Sequence, residues 1–85
     1  MRFITKETFK APPTAEVKAL MPAEIAKVKE LIEQGLIAAV YTAADLSSAW
    51  MVWNVDSQAA LEETHNSLPL HPYMNSEITV LAEGM

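Results

Sequence analysis

Glu24 stands four residues before Val28 and seven before Leu31, a spacing that sets a carboxylate on the flank of an apolar helical stripe. Facing a pocket from there, it would have its pKa raised by burial and be poised to move a proton. Read instead as an acid in a first helical turn, it needs no pocket, because the macrodipole favours negative charge there. His71 lies in the run Leu68-Pro69-Leu70-His71-Pro72-Tyr73-Met74. An imidazole held in so rigid a loop needs a hydrogen-bond partner and titrates near neutral pH. Glu24 and His71 are therefore the candidate acid–base groups. His65 follows Leu61 by four residues and falls on the buried side of its helix. It joins Lys6, Tyr41, Trp50 and Tyr73 as candidate substrate-binding residues, the lysine for an anionic group and the aromatic rings as wall.

Lys6 and Glu7 occupy opposite faces of one strand. Lys6 shares its face with Arg2, while Glu7 alternates with Phe3 and Phe9 as a second pocket carboxylate. Both are equally accounted for as edge-strand charges that discourage aggregation. Glu62 and His65 spell Glu-x-x-His, a fragment of di-metal carboxylate sites, but its companion glutamates are missing, so no metal is expected. Ser67 is near both histidines in sequence, without the nucleophile elbow a hydrolase would need.

The two prolines of the 68–74 run fix φ at two points, and its Leu, Leu, Tyr and Met have no use in solvent. The segment either plugs a core or walls a pocket. Upstream, residues 2–9 read as a strand stopped by Ala11-Pro12-Pro13. Thr14 caps a short helical turn through Met21, and Pro22 suits the first position of a new helix. Ile25, Val28, Leu31 and Ile32 form its apolar stripe, and Gly35 ends it. Residues 36–43 and 48–55 are two strands joined through Ala44-Asp45-Leu46-Ser47. Asp56 or Ser57 caps a second helix with Ala60, Leu61, Thr64 and Leu68 on one face. Ile78 to Ala82 make a last strand.

The order β-α-β-β-α-β, with both helices on one face of an antiparallel four-stranded sheet, is a ferredoxin-like α+β fold. Trp50 and Val52 point to one side of the third strand, and Met51, Trp53 and Val55 to the other. The second strand sets Ile37, Ala39 and Tyr41 against Leu36, Ala38 and Val40. Two helices cover one face, so the other is expected to pack against a second copy, giving a homodimer or a larger homo-oligomer.

With 85 residues the chain is expected to be a single domain, 1–85, near the size where one core is marginal, and 51% of it is hydrophobic. The net charge of −5 leaves no basic stripe for nucleic acid. The absence of cysteine removes disulfides and thiolate chemistry. No apolar run reaches the ~20 residues of a membrane span, and the N-terminus carries no signal-peptide core, so a cytoplasmic location away from membranes is expected.

The Leu68–Met74 run resembles the L-P-L-x-P-[YW]-M segment of the muconolactone delta-isomerase family. The resemblance extends without gaps from Pro22 to about Leu81, and more loosely to the first strand. It implies a dimeric α+β barrel and a cofactor-independent shift of a carbon–carbon double bond in an unsaturated lactone. It also implies a glutamate at the place of Glu24 and a strand-one lysine at Lys6. One departure concerns strand two, where the family carries Trp and Arg but this chain reads Leu36-Ile37-Ala38-Ala39-Val40-Tyr41-Thr42. His65 and His71 stand where the family is leucine- and phenylalanine-like. A pocket kept for an altered substrate is the reading that follows. Two alternatives remain open. One is a non-catalytic barrel for metabolite binding or assembly. The other is a histidine-dependent, heme-degrading type of monooxygenase of the same superfamily, although Thr5 stands where those enzymes have asparagine.

Overall fold

The computed structural model describes residues 1–82. Its elements are β1 (Arg2–Phe9), α1 (Ala15–Glu33), β2 (Ile37–Thr42), β3 (Ala49–Asn54), α2 (Gln58–Asn66), a single 3₁₀ turn (His71–Tyr73) and β4 (Met74–Val80). The strands form one antiparallel sheet in the order β2-β3-β1-β4, the ferredoxin-like arrangement expected from the element order. Among the described residues no helix is long and apolar enough to cross a membrane.

Local chemistry explains most boundaries. Thr14 caps α1 by accepting the Val17 N–H at 3.3 Å, and Ser57 caps α2 by accepting the Ala60 N–H at 3.1 Å. At the other end of α1, Gly35 takes φ +79, its N–H bonds the Ile32 carbonyl, and the Leu36 N–H bonds the Leu31 carbonyl. That is a Schellman stop, and it needs a residue free of the left-handed penalty.

Four expectations are corrected. The turn through Met21 and the helix from Pro22 are one continuous helix with Pro22 inside it. The proline removes one N–H, and the surrounding turns and the packing below hold the axis together. The apolar stripe of α1 is shifted as well. Val17 and Leu31 are buried and Val28 packs on the core, whereas Ile25 and Ile32 are about half exposed. On β2 a register shift between Ile37 and Ala39 breaks the alternation. Ile37 therefore turns inward opposite Trp53, while Ala39 and Tyr41 turn outward opposite Val52 and Trp50. The last strand begins at Met74, earlier than expected, because an edge strand tolerates the polar run Asn75-Ser76-Glu77.

The covered face carries the core of Phe3, Leu31, Ile37, Met51, Trp53, Val55, Leu61 and Leu68. Trp53 is completely buried and donates its indole N–H to Thr5 Oγ1 at 3.0 Å. A buried indole needs such an acceptor. Thr5→Val keeps the shape but orphans that donor, so it should lower unfolding free energy by about 1–3 kcal/mol in urea titrations followed by tryptophan fluorescence.

Candidate active site

Within α1 the residues turned toward the sheet are Val17, Glu24, Val28 and Leu31, separated by seven, four and three positions. Glu24 therefore belongs to the inward stripe. Because α1 starts at Ala15, Glu24 lies beyond the reach of the N-terminal dipole, and the first-turn reading does not apply. Its Oε1 accepts the Leu70 N–H at 3.1 Å. Burial, reinforced by the charge of Glu7, raises the Glu24 pKa above the ordinary carboxylate value despite that hydrogen bond and the nearby His65.

The Leu68–Met74 run is the wall of a cavity of about 860 Å³ between α1 and the sheet. Leu68 and Leu70 are buried, and both line the space together with His71 and Met74. Pro72 sits in the first turn of the 3₁₀ segment, which converts the run into a fixed corner. Glu24 and Glu7 border the same space from helix and sheet.

Glu7 is not an edge charge. β1 is paired on both sides, to β3 and to β4, so its inward residues sit under the helices and Glu7 is only 3% exposed. His65 of α2 places Nε2 2.6 Å from Glu7 Oε1, and Ser76 of β4 donates its hydroxyl to Glu7 Oε2. Burial pushes the Glu7 pKa up, but these hydrogen bonds and the charge of His65 outweigh it and hold the carboxyl below its ordinary range. An ionised Glu7 accepts, so His65 Nε2 carries the proton. The His71 ring stands edge-on to His65 with centroids 5.2 Å apart, and its Nδ1 is buried without a hydrogen-bond partner. His71 borders the cavity, and a buried nitrogen with no partner among the described residues is the polar group there that packing leaves unsatisfied.

The other candidates are dispersed. Lys6, Trp50 and Tyr41 form one cross-strand row, continued by Glu77, on the sheet face opposite the cavity. Their placement on strands was legible, but the side they face is the wrong one for this site. Tyr73 points outward and donates its hydroxyl to Glu16 at 3.0 Å. Lysines do reach the cavity, but they are Lys10 and Lys18, which the sequence reading did not single out. Ser76 was also missed, since a serine on an edge strand carries no signal until its neighbour across β1 is known. For the heme-oxygenase reading, one of the two His65 ring nitrogens, Nε2, is engaged by Glu7. Among the described residues no three His, Asp or Glu side chains are grouped to hold a metal ion.

The muconolactone delta-isomerase family matches residues 1–84. The chain belongs to that family. Its fold superposes on the crystal structure of a muconolactone isomerase with a TM-score of 0.85 at 30% identity, covering 98% of this chain and 90% of that one. It also resembles 5-chloro-2-hydroxyhydroquinone dehydrochlorinase (TftG) from Burkholderia phenoliruptrix AC1100, solved with 2,5-dihydroxybenzoquinone. There the TM-score is 0.78 at 12% identity, over 99% of this chain and 96% of that one, a likeness of fold alone. No curated protein sequence matches significantly. The family fold thus serves proteins named for different reactions, and the residues around the cavity must decide the chemistry here.

The two cavity carboxylates should leave opposite marks on stability. The lowered Glu7 pKa contributes stability that is present above the ordinary carboxylate range and lost as pH falls through the folded value. The raised Glu24 pKa contributes below that range and is lost as pH rises through its own folded value. Glu7→Ala should cost about 3–5 kcal/mol at neutral pH by stranding His65. Glu24→Gln should lose no stability at neutral pH and should flatten the decline there, both read from urea midpoints across the pH range.

Proposed function

We propose that the protein is a cofactor-independent isomerase that shifts a carbon–carbon double bond in a small unsaturated lactone or a related ring metabolite. The observation that carries this reading is the pair of carboxylates on one apolar cavity whose environments drive their pKa values apart. Glu24, raised toward the working pH, is the proton-transfer group. It takes a proton from the acidic carbon of the bound ring and returns it at the far end of the allylic system. The Leu70 N–H holds the carboxylate in place between the two transfers. No redox change is involved, and one proton leaves and one returns.

His71, which borders the cavity and keeps a buried Nδ1 without a partner among the described residues, turns that nitrogen to an oxygen of the substrate on binding and stabilises the charge that develops there when the carbon is deprotonated. Lys10 and Lys18 at the cavity take the anionic role that Lys6, on the far face of the sheet, cannot fill within the same protomer. Leu68, Leu70, Met51 and Met74 exclude water and supply the apolar bed for the ring. Glu7 and His65 set the field around Glu24. These assignments differ from the family's strand-two arrangement, which supports an altered substrate.

Incubation of the purified protein with muconolactone, followed in the ultraviolet, tests the reading. Turnover is expected, with Glu24→Gln lowering kcat by about 10²–10⁴-fold. In the wild type kcat/KM should fall as pH drops through the raised Glu24 pKa, because the base must be ionised. A wild-type protein inert toward muconolactone and related unsaturated lactones overturns it.

The same reading includes a homodimer closed sheet to sheet. Ile4, Val52, Ala39, Trp50 and Tyr41 cluster on the face that no helix covers, and Tyr41 is 62% exposed. A stable interface of this kind buries on the order of 1,200–2,000 Å² in total. Sedimentation at micromolar concentration should give a dimer or a multiple of it, and Trp50→Glu should shift the population to monomer. A folded wild-type monomer under those conditions contradicts this.

A further inference from the structure

Glu7, His65 and Ser76 take no direct part in the transfer assigned to Glu24, yet they form one unbroken hydrogen-bonded chain. It starts at the cavity, where Glu7 and His65 are both lining residues. It continues from His65 Nε2 to Glu7 Oε1 at 2.6 Å and from Glu7 Oε2 to the Ser76 hydroxyl, and His65 Nε2 also lies 3.3 Å from that hydroxyl. Ser76 is exposed. It opens onto a second, smaller groove of about 270 Å³ beside β4, lined also by Glu62, Asn66 and Ile78. His65 and His71 border both spaces, so they are the partition between them. Burying a carboxylate and an imidazole together is costly, and an apolar pair would serve packing at least as well. A buried ionisable pair that ends on a solvent-facing hydroxyl has the layout of a relay.

We propose that His65, Glu7 and Ser76 are a proton conduit joining the inner cavity to solvent on the β4 side, so that a proton held in the cavity equilibrates with water while the ligand stays bound. Outward, a cavity proton binds His65 Nδ1 as the Nε2 proton passes to Glu7 Oε1; the neutral acid turns to present that proton to the Ser76 hydroxyl, which accepts it as it releases its own to water. Inward transfer is the reverse. Each hop moves a single proton; Glu7 and Ser76 end as they began, and a turn of the imidazole ring returns His65 to its starting tautomer. The three residues are positioning and relay groups that touch no reacting carbon. The conduit's role in turnover rests on the isomerase reading above, but its existence does not.

Two measurements separate them. In the first, the ring of His65 in ¹⁵N-labelled protein is followed by NMR for exchange of its Nε2 proton with water, without substrate. Ser76→Val suits an edge strand and fills the space with methyl groups. It should slow that exchange at least tenfold, while Ser76→Thr, which restores a hydroxyl, should recover the wild-type rate. Equal rates in wild type and Ser76→Val, with the amide spectrum showing both folded, overturn the conduit. In the second, isomerisation is run in D₂O. The wild-type product should carry solvent deuterium at the new carbon–hydrogen bond, and the Ser76→Val product should retain mostly the substrate's own proton. Full retention by the wild type overturns the conduit's part in turnover. Absence of any turnover overturns the isomerase reading and leaves the imidazole exchange result to stand on its own.

Discussion

The contact between Glu7 and His65 joins residues 58 positions apart and is the interaction on which the rest of the site depends. It ties the central strand to α2 under a layer of apolar side chains, with Trp53 tilted against the imidazole at a centroid distance of 6.0 Å. Because both groups are buried, neither can be removed without leaving the other polar and unpaired. Their common position therefore dictates how α2 lies on the sheet. It also dictates where the following run, Leu68 to Met74, must turn back toward β4, and so where the cavity wall stands.

The same pair organises the electrostatics. A carboxylate kept ionised by two hydrogen bonds adds negative charge to the region that Glu24 enters from above, and burial does the rest. Glu24 reaches that region only because α1 runs without a break from Ala15 to Glu33. A helix restarted at Pro22 would have put Glu24 at an exposed terminus with solvent and the dipole to stabilise its charge. The proline thus sits in the helix at the cost of one hydrogen bond, and the Glu24 carboxylate lies about half a turn beyond it on the inward side.

Much of this was legible in the chain. Thr14, Ser57 and Gly35 announce helix ends through interactions within a few residues, and the structure uses all three. The proline-braced Leu68–Met74 run reads as a wall because its rigidity and its apolar side chains are both local properties. His65 reads as buried from its spacing to Leu61. The failures have one cause. Alternation says that Lys6 and Glu7 face opposite sides, but not which side the helices cover, nor that β1 has a partner on each flank. Alternation alone thus leaves Lys6 a pocket it does not face, and leaves Glu7 between a pocket carboxylate and an edge charge until the pairing of β1 on both flanks decides for the pocket. On β2 a single register shift was enough to put Ile37 and Ala39 on opposite faces.

The order of the elements, the capping residues and the family follow from periodicity, backbone chemistry and short motifs along the chain, whereas the bounds of α1 and β4 do not. Which polar and charged residues meet around the cavity and the groove beside it is set by contacts distant in sequence. Glu7, Glu24, His65, His71 and Ser76 come from five separate segments, and their approach is set by strand pairing and helix packing. Those long-range contacts also set the protonation tendencies, since the pKa of a buried carboxylate depends on the partners that tertiary packing brings to it rather than on its neighbours in sequence.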